Sequence, residues 1–175
     1  MDVNEFAQNI GELARPNRFK AEITIPGFAG GTGSSDWLFF ESTSLPPSNL
    51  GKIPVAFMGR TVNLAGDRGE FPTWNVTVRN EVKFQMRNKL ERWSNAINSH
   101  RGNTQLTGDR LQDYSSVASV HQLAKDGKTI LKSYKFYFCF PETIADIPLS
   151  WAENDSYEIF DLGLAYSWWE SNTTS

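Results

Sequence analysis

The sequence predicts a mainly β member of the α+β class: two packed antiparallel sheets forming a sandwich or small barrel, one flanking α-helix and a long extended loop. Three observations lead to this prediction. Several segments alternate apolar and polar residues as half-buried strands do, one segment repeats apolar residues at helical spacing, and the 12 Phe, 6 Trp and 5 Tyr favour strands. No shift in composition divides the 175 residues into two halves, so residues 1–175 are predicted to form a single domain.

The N-terminal part of the chain predicts a short helix followed by a β-hairpin. Apolar residues recur at helical spacing over the first fifteen residues and stop before Pro16, because the residue before a proline avoids the helical region. From Arg18 to Ile25 the pattern alternates, which indicates a half-buried strand. A Gly- and Ser-rich turn over residues 26–35 leads to Trp37–Glu41, the predicted returning strand of the hairpin.

The segment Lys52–Arg68 is apolar but has the pattern of neither a strand nor a helix. Pro54 cannot donate to a sheet ladder, and glycines interrupt the second half. The segment is therefore predicted to be an arm or long loop with one short strand, Arg60–Leu64. An apolar loop of this size is usually buried by the protein's own core or by a partner. Its first half contains Ile53, Val55, Phe57 and Met58.

The strongest periodic signal predicts one amphipathic helix that begins at Asn80 and runs to His100. The Asn80 side chain is of a type that accepts hydrogen bonds from the free amides of a first helical turn. Apolar residues follow along a single helical stripe, which we expect to dock the helix on a sheet. This stripe consists of Val82, Met86, Leu90, Trp93 and Ile97.

Alternating segments on both sides of this helix predict further strands. Thr73–Arg79 precedes the helix, whereas Ser116–Ala124 and Thr129–Phe140 follow it as a hairpin. Pro141–Ser150 is predicted to break the strand, and a last strand alternates from Phe160 to Trp168. Aromatic residues at every second position of the second hairpin strand are expected on one core-facing side: Tyr134, Phe136, Phe138 and Phe140.

The composition argues against several functional classes. A net charge of -3 lacks the basic footprint of a dedicated nucleic-acid binder. The N-terminus carries acidic residues where a signal peptide needs basic ones, and the apolar runs are far shorter than the ~20 residues that cross a bilayer. Neither an export signal nor a membrane anchor is therefore expected. The single cysteine, Cys139, is expected to be a buried, inert thiol in a reducing compartment.

Few residues favour catalysis. His100 and His121 are expected to be structural, and no spacing typical of a zinc site or a nucleophile elbow occurs. No catalytic residue, cofactor or metal is therefore expected. One alternative is a small carboxylate-dependent hydrolase, although the same carboxylates are typical of a solvated loop. They are Glu142, Asp146, Glu153 and Asp155.

Several motifs together resemble the tail tube proteins of contractile-tailed bacteriophages. The first is KIPVAFMGRTVNLAGDR, residues 52–68, followed by the Trp-centred strand Trp74–Val78 and then by Asn80 and an amphipathic helix. Arg15-Pro16-Asn17 before the first strand and Trp169-Glu170 near the C-terminus fit the same family. The resemblance covers nearly the whole chain.

This resemblance implies a structural protein that assembles into hexameric rings, which stack into a hollow tube. The implied partners are other copies of the chain, a contractile sheath outside the tube, baseplate tube-initiating proteins, a tape-measure protein and a tail terminator. DNA would pass through the lumen without specific binding. The implied location is the phage tail within the virion, assembled in the host cytoplasm. The tube protein of a type VI secretion system or a related contractile injection system shares this architecture and remains an alternative.

The resemblance implies that Lys52–Arg68 is an inter-subunit arm. The core helix and aromatic strands form a core that is complete without it, so its apolar residues are available to a neighbouring subunit. The predicted contact residues are Ile53, Pro54, Val55, Phe57, Met58, Arg60, Asp67 and Arg68.

Overall fold

Antiparallel strands dominate the computed structural model, which describes residues 2–174. The strands are β1 Phe19–Ile23, β2 Phe40–Thr43, β3 Lys52–Phe57, β4 Arg60–Ala65, β5 Trp74–Arg79, β6 Ser116–Leu123, β7 Ile130–Ile144, β8 Ile159–Ala165 and β9 Trp168–Ser171. The helices are α1 Val3–Asn9, α2 Gln85–Ile97 and α3 Leu111–Tyr114. None of these helices has the length and apolar character needed to span a bilayer.

Seven strands form two antiparallel sheets that share β7. The first sheet has the order β1-β6-β7-β9 and the second the order β7-β8-β5-β2. The core lies where side chains from both sheets meet those of α2, as the buried Val120, Val76 and Leu90 show. The prediction of two packed antiparallel sheets with a flanking helix is confirmed, and the described strands do not close into a barrel.

Strand β7 passes from one sheet into the other through an irregular stretch. Phe138 has a φ of 55°, and the pairing with β6 shifts register there, so that Cys139 is fully buried and Phe138 is not. A second register shift follows Pro141, and the strand continues to Ile144. The expectations that Phe138 faces the core and that Pro141 ends the strand were wrong, because bulges reverse the side-chain alternation and accommodate proline.

The predicted first hairpin does not form. Strand β1 pairs with β6, whereas residues 36–39 form a 3₁₀ turn and the following β2 pairs with β5. The reason lies in Asp36, a buried carboxylate that accepts hydrogen bonds from the Gly33 amide at 2.7 Å and the Lys89 ammonium at 2.8 Å. These bonds hold residues 36–39 in a 3₁₀ turn tied to Lys89 of α2, so that they do not form a strand paired with β1.

Helix α2 begins five residues later than predicted. Phe84, immediately before it, has left-handed backbone angles. The side-chain amide of Asn80 donates to the Glu158 carboxylate at 2.6 Å instead of capping the helix. Val82 therefore lies outside the helix and is 99% exposed, which corrects its assignment to the core stripe. The remaining stripe residues face inward: Met86, Leu90 and Trp93 are buried and Ile97 is half-buried.

Candidate assembly surface

The segment predicted to be an arm is a separate two-stranded ribbon, here called the hairpin, formed by β3 and β4. Its connection is the two-residue turn Met58-Gly59, and both residues have positive φ, 45° and 75°. Those angles define a type I′ turn, whose twist matches that of the flanking strands. The predicted short strand over 60–64 is present, but its partner strand was missed because Pro54 argued against one.

Proline is tolerated at position 54 because of where it sits in the ladder. Pro54 lies opposite Asn63, three residues from the closing pair Phe57–Arg60. Hydrogen-bonded and non-bonded pairs alternate in an antiparallel ribbon, so this pair is one in which the backbone nitrogen points away from the partner strand. The missing N–H therefore removes no ladder bond.

One face of the hairpin is apolar except for Arg60 beside the turn. Residues directly opposite each other share a face, and the register pairs Ile53 with Leu64, Val55 with Val62 and Phe57 with Arg60. The five apolar side chains of this face are 43% to 64% exposed, and Met58 at the tip is 88% exposed. Two residues of this face, Val62 and Leu64, were not predicted to be contact residues. Their alternation within Arg60–Ala65 was the available signal.

The opposite face carries smaller and more polar side chains, so the hairpin is amphipathic. This face consists of Lys52, Pro54, Ala56, Thr61, Asn63 and Ala65. All twelve strand residues of the hairpin are exposed in the subunit. An isolated two-stranded ribbon is at best marginally stable in water, and a contiguous exposed apolar face marks an interaction surface.

The root of the hairpin is fixed to the body of the molecule. The indole N–H groups of Trp74 and Trp169 donate to the carbonyls of Ser44 and Pro47, at 2.9 and 3.2 Å, and so anchor the segment that leads into β3. The two tryptophans belong to different sheets. The apolar ribbon therefore projects from a base that side chains of both sheets hold in place.

The two strands close on each other at this base. The Gly51 amide donates to the Asp67 carbonyl at 2.9 Å, and the Arg68 guanidinium donates to Ser48 Oγ at 3.2 Å and Asn49 O at 3.4 Å. No ion pair joins Asp67 to Arg68 within residues 2–174. Arg60 is exposed near the tip, where it is available to a partner.

The four carboxylates weighed for a hydrolase do not form a site. All four are exposed, and Glu142 accepts a hydrogen bond from Thr73 at 2.6 Å. Glu142 lines a cleft between α2 and the end of β7, whose lining does not include Asp146, Glu153 or Asp155. No cluster of three or more His, Cys, Asp or Glu side chains suited to a metal ion occurs within the described chain.

The cysteine and the strand histidine have structural surroundings. Burial raises the pKa of the Cys139 thiol to about 12, which leaves it a poor nucleophile at neutral pH. His121 Nδ1 lies 2.9 Å from Ser133 Oγ on the neighbouring strand, and its Nε2 lies 3.7 Å from Glu22. Neither group lines a described cleft. The exposed apolar hairpin is therefore the candidate functional surface.

Comparison with known proteins finds similarity along most of the chain. The sequence matches the family described as phage tail tube protein over residues 14–172. It is 35% identical over 160 residues to tail tube protein gp19 of Enterobacteria phage T4, covering 91% of this chain and 93% of that protein. The tail tube protein of Serratia phage KSP90 is 27% identical over 169 residues, covering 94% of this chain and 93% of that protein.

Solved structures with the same fold share less sequence. A chain of the anti-feeding prophage tube-terminating cap superposes with a TM-score of 0.63 at 16% identity, and each chain is covered completely. A chain from the sheath/tube terminator of the PVC extracellular contractile injection system gives a TM-score of 0.62 at 15% identity, covering 93% of this chain and 99% of that one. At these identities the superpositions establish a common fold.

Proposed function

The chain belongs to the phage tail tube protein family, and from this premise we propose that it polymerises as stacked hexameric rings into a hollow conduit for DNA and tape-measure protein. Members of this family are structural components of the virion and not enzymes. The sequence similarity to phage proteins favours a phage tail over a secretion system. The sheath, the baseplate and the tail terminator are the proposed partners of the assembled tube.

The observation that carries this proposal is the rooted, amphipathic hairpin. Its apolar face contains Ile53, Val55, Phe57, Val62 and Leu64, all exposed in the isolated subunit. Burying one such side chain completely contributes ~1.5–3 kcal/mol. A contact that covers the whole face therefore supplies a large part of the free energy that holds neighbouring subunits together.

Strand edges offer a second set of joints, which we assign to contacts within a ring. Within residues 2–174, β1, β2 and β9 each pair with one neighbour and leave their other edge free. A free edge normally invites uncontrolled association, but in a ring the next subunit covers it. Such contacts join different surfaces of identical subunits, and rotation closes them into a ring.

The proposal is tested by electron microscopy of the purified protein at high concentration and with baseplate present. We expect hollow tubes of stacked rings for the unmodified chain. Replacing Phe57 by Asp should abolish tubes while leaving the monomer folded, because the charge lies on a face that must become dry. The matched control is Ala56→Asp, which places the same charge on the other face of the same strand.

Three results would count against this function. The unmodified protein could remain monomeric under all conditions, the Phe57→Asp variant could assemble as well as the Ala56→Asp control, or Phe57→Asp could unfold the subunit. Circular dichroism and thermal melting of each variant separate the last result from a loss of assembly.

A further inference from the structure

The hairpin and the loop between β7 and β8, residues 145–158, leave opposite ends of the second sheet. The hairpin precedes Trp74 at the start of β5, which pairs with Leu164 near the end of β8. Arg79 at the end of β5 pairs with Ile159, the residue at which the loop enters β8. A six-residue strand spans about 17 Å from its first to its last residue, so the two features are separated by the length of the sheet.

The two features have opposite charge. The hairpin, residues 52–66, carries Lys52 and Arg60 and no carboxylate. The loop over 145–158, here called the acidic loop, contains no Lys, Arg or His. Its carboxylates are Asp146, Glu153, Asp155 and Glu158, and none of them forms an ion pair with a residue of the described chain.

The acidic loop also exposes large apolar side chains. Trp151 is fully exposed and Leu149 is 80% exposed, and the Tyr157 ring is 61% exposed although its hydroxyl donates to Glu41 at 3.0 Å. Aromatic side chains surrounded by charge are typical of contact surfaces. The acidic loop therefore matches the hairpin in apolar character and complements it in charge.

Building on the tube function proposed above, we propose that the hairpin of one copy docks on the acidic loop of a second copy in the next ring. The apolar face of the hairpin packs on Trp151 and Leu149, and Arg60, which shares that face, lies among the loop carboxylates. Lys52, on the opposite face, adds to the positive charge of the hairpin. The two surfaces differ and lie at opposite ends of one sheet, so copies joined by this contact alone follow one another head to tail. It repeats along the strand direction, which makes it a contact between rings rather than within one.

Charge reversal tests this pairing in assembly assays monitored by sedimentation and electron microscopy. One variant reverses the hairpin, Lys52→Glu with Arg60→Glu, and another reverses the acidic loop, Asp146→Lys with Glu153→Lys. Each should raise the protein concentration needed for tube formation about tenfold or more, since attraction becomes repulsion. The chain carrying all four substitutions should recover assembly, because its charges are complementary again.

Covalent trapping provides an independent measurement. A mixture of Met58→Cys and Asn154→Cys subunits, assembled and mildly oxidised, should give a disulfide-linked dimer, since the native Cys139 is buried. The matched control replaces Asn154→Cys by Lys125→Cys, in the exposed turn between β6 and β7.

The outcomes separate this inference from the tube function itself. If the unmodified protein forms no tubes, the proposed function fails. If it forms tubes but the loop-reversed variant assembles at the same concentration, the acidic loop is open to another protein and the docking inference is overturned. Failure of the fourfold variant to assemble, together with no cross-link between positions 58 and 154, would also overturn it.

Discussion

At the scale of single residues, Trp93 shows how one side chain fixes the position of an element. Its ring is fully buried among the two sheets, and its indole N–H donates to the Tyr114 carbonyl at 2.7 Å. Helix α2 is thereby tied to α3 and to the segment that enters β6. The same side chain serves both apolar burial and hydrogen-bond satisfaction, as a buried tryptophan requires.

Leu90 and Val82 provide a matched test of the corrected core stripe. Leu90 is fully buried, so Leu90→Ala should lower the free energy of unfolding by ~2–5 kcal/mol through lost burial and the resulting cavity. Val82→Ala should change it by less than ~0.5 kcal/mol, because Val82 is exposed and outside the helix. Urea unfolding of both variants measures the difference. Equal losses of stability would contradict the assignment of Leu90 to the core and of Val82 to the surface.

Burial of Cys139 makes stability depend on alkaline pH. The thiol has a pKa of about 12 in the folded protein against 9.0 without burial, so the folded state retains its proton where the unfolded state loses it. This contribution is fully present below pH 9.0 and declines towards pH 12, by about 1.4 kcal/mol per pH unit. Between pH 8 and pH 10 the unmodified protein should therefore lose about 1.4 kcal/mol more than Cys139→Ala in urea unfolding. Equal losses in the two proteins would show that the thiol is not desolvated.

At the scale of elements, alternation and helical spacing predicted most strands, the long helix and the hairpin of β6 with β7, but not the other strand partners. The patterns of β5, β6 and β8 identified their buried faces, since Val76, Val120 and Leu162 are all fully buried. The partner of β1 is distant in sequence, and period-two alternation holds no information about which strand lies beside another. A local turn signal over residues 26–35 was therefore interpreted as a hairpin.

The assembly surface was predicted in position but not in form. The exposed apolar residues of the first half, such as Phe57, stand out in the sequence, whereas the ribbon depends on how Pro54 sits in a ladder. A two-stranded ribbon tolerates proline at its non-bonded positions, and a rule derived from central strands does not apply to it. The contribution of Val62 became clear once its cross-strand partner Val55 was known.

Gly51 sets the geometry of the hairpin root. A Cβ atom at this position would lie 2.6 Å from the Asp67 carbonyl oxygen, a backbone atom that cannot swing aside. Gly51→Ala should therefore reorient the hairpin and impair tube assembly, while thermal melting of the subunit stays nearly unchanged. Gly69→Ala is the control, since nothing lies within 4 Å of its added methyl group. Normal assembly of Gly51→Ala, measured by sedimentation, would show that the root angle does not matter.

At the scale of the whole molecule, charge is distributed unevenly along the chain. The last basic residue is Lys135, and the following forty residues carry carboxylates alone among their charged groups. The net charge of -3 is thus the sum of a more basic first part and a strongly acidic last part. An assembled tube repeats this excess negative charge many times.

A tube of this charge should not retain DNA. Binding of DNA draws its free energy largely from counterions released when basic side chains neutralise phosphates, and in this protein 20 Asp and Glu outnumber 17 Lys and Arg. Tubes sedimented with double-stranded DNA at about 50 mM salt should leave the DNA in the supernatant, and a basic protein serves as positive control. Co-sedimentation of DNA that disappears at about 200 mM salt would reveal a basic lumen and contradict the prediction.

Strand β7 gives the molecule a mechanical property that its packing alone would not. Because one continuous backbone runs from Ile130 in the first sheet to Ile144 in the second, the two layers are joined covalently through the middle of the core. A force that shears one layer against the other must strain this backbone at Phe138 and Pro141 rather than slide apolar surfaces past each other. Tension entering at one sheet is therefore carried directly into the other.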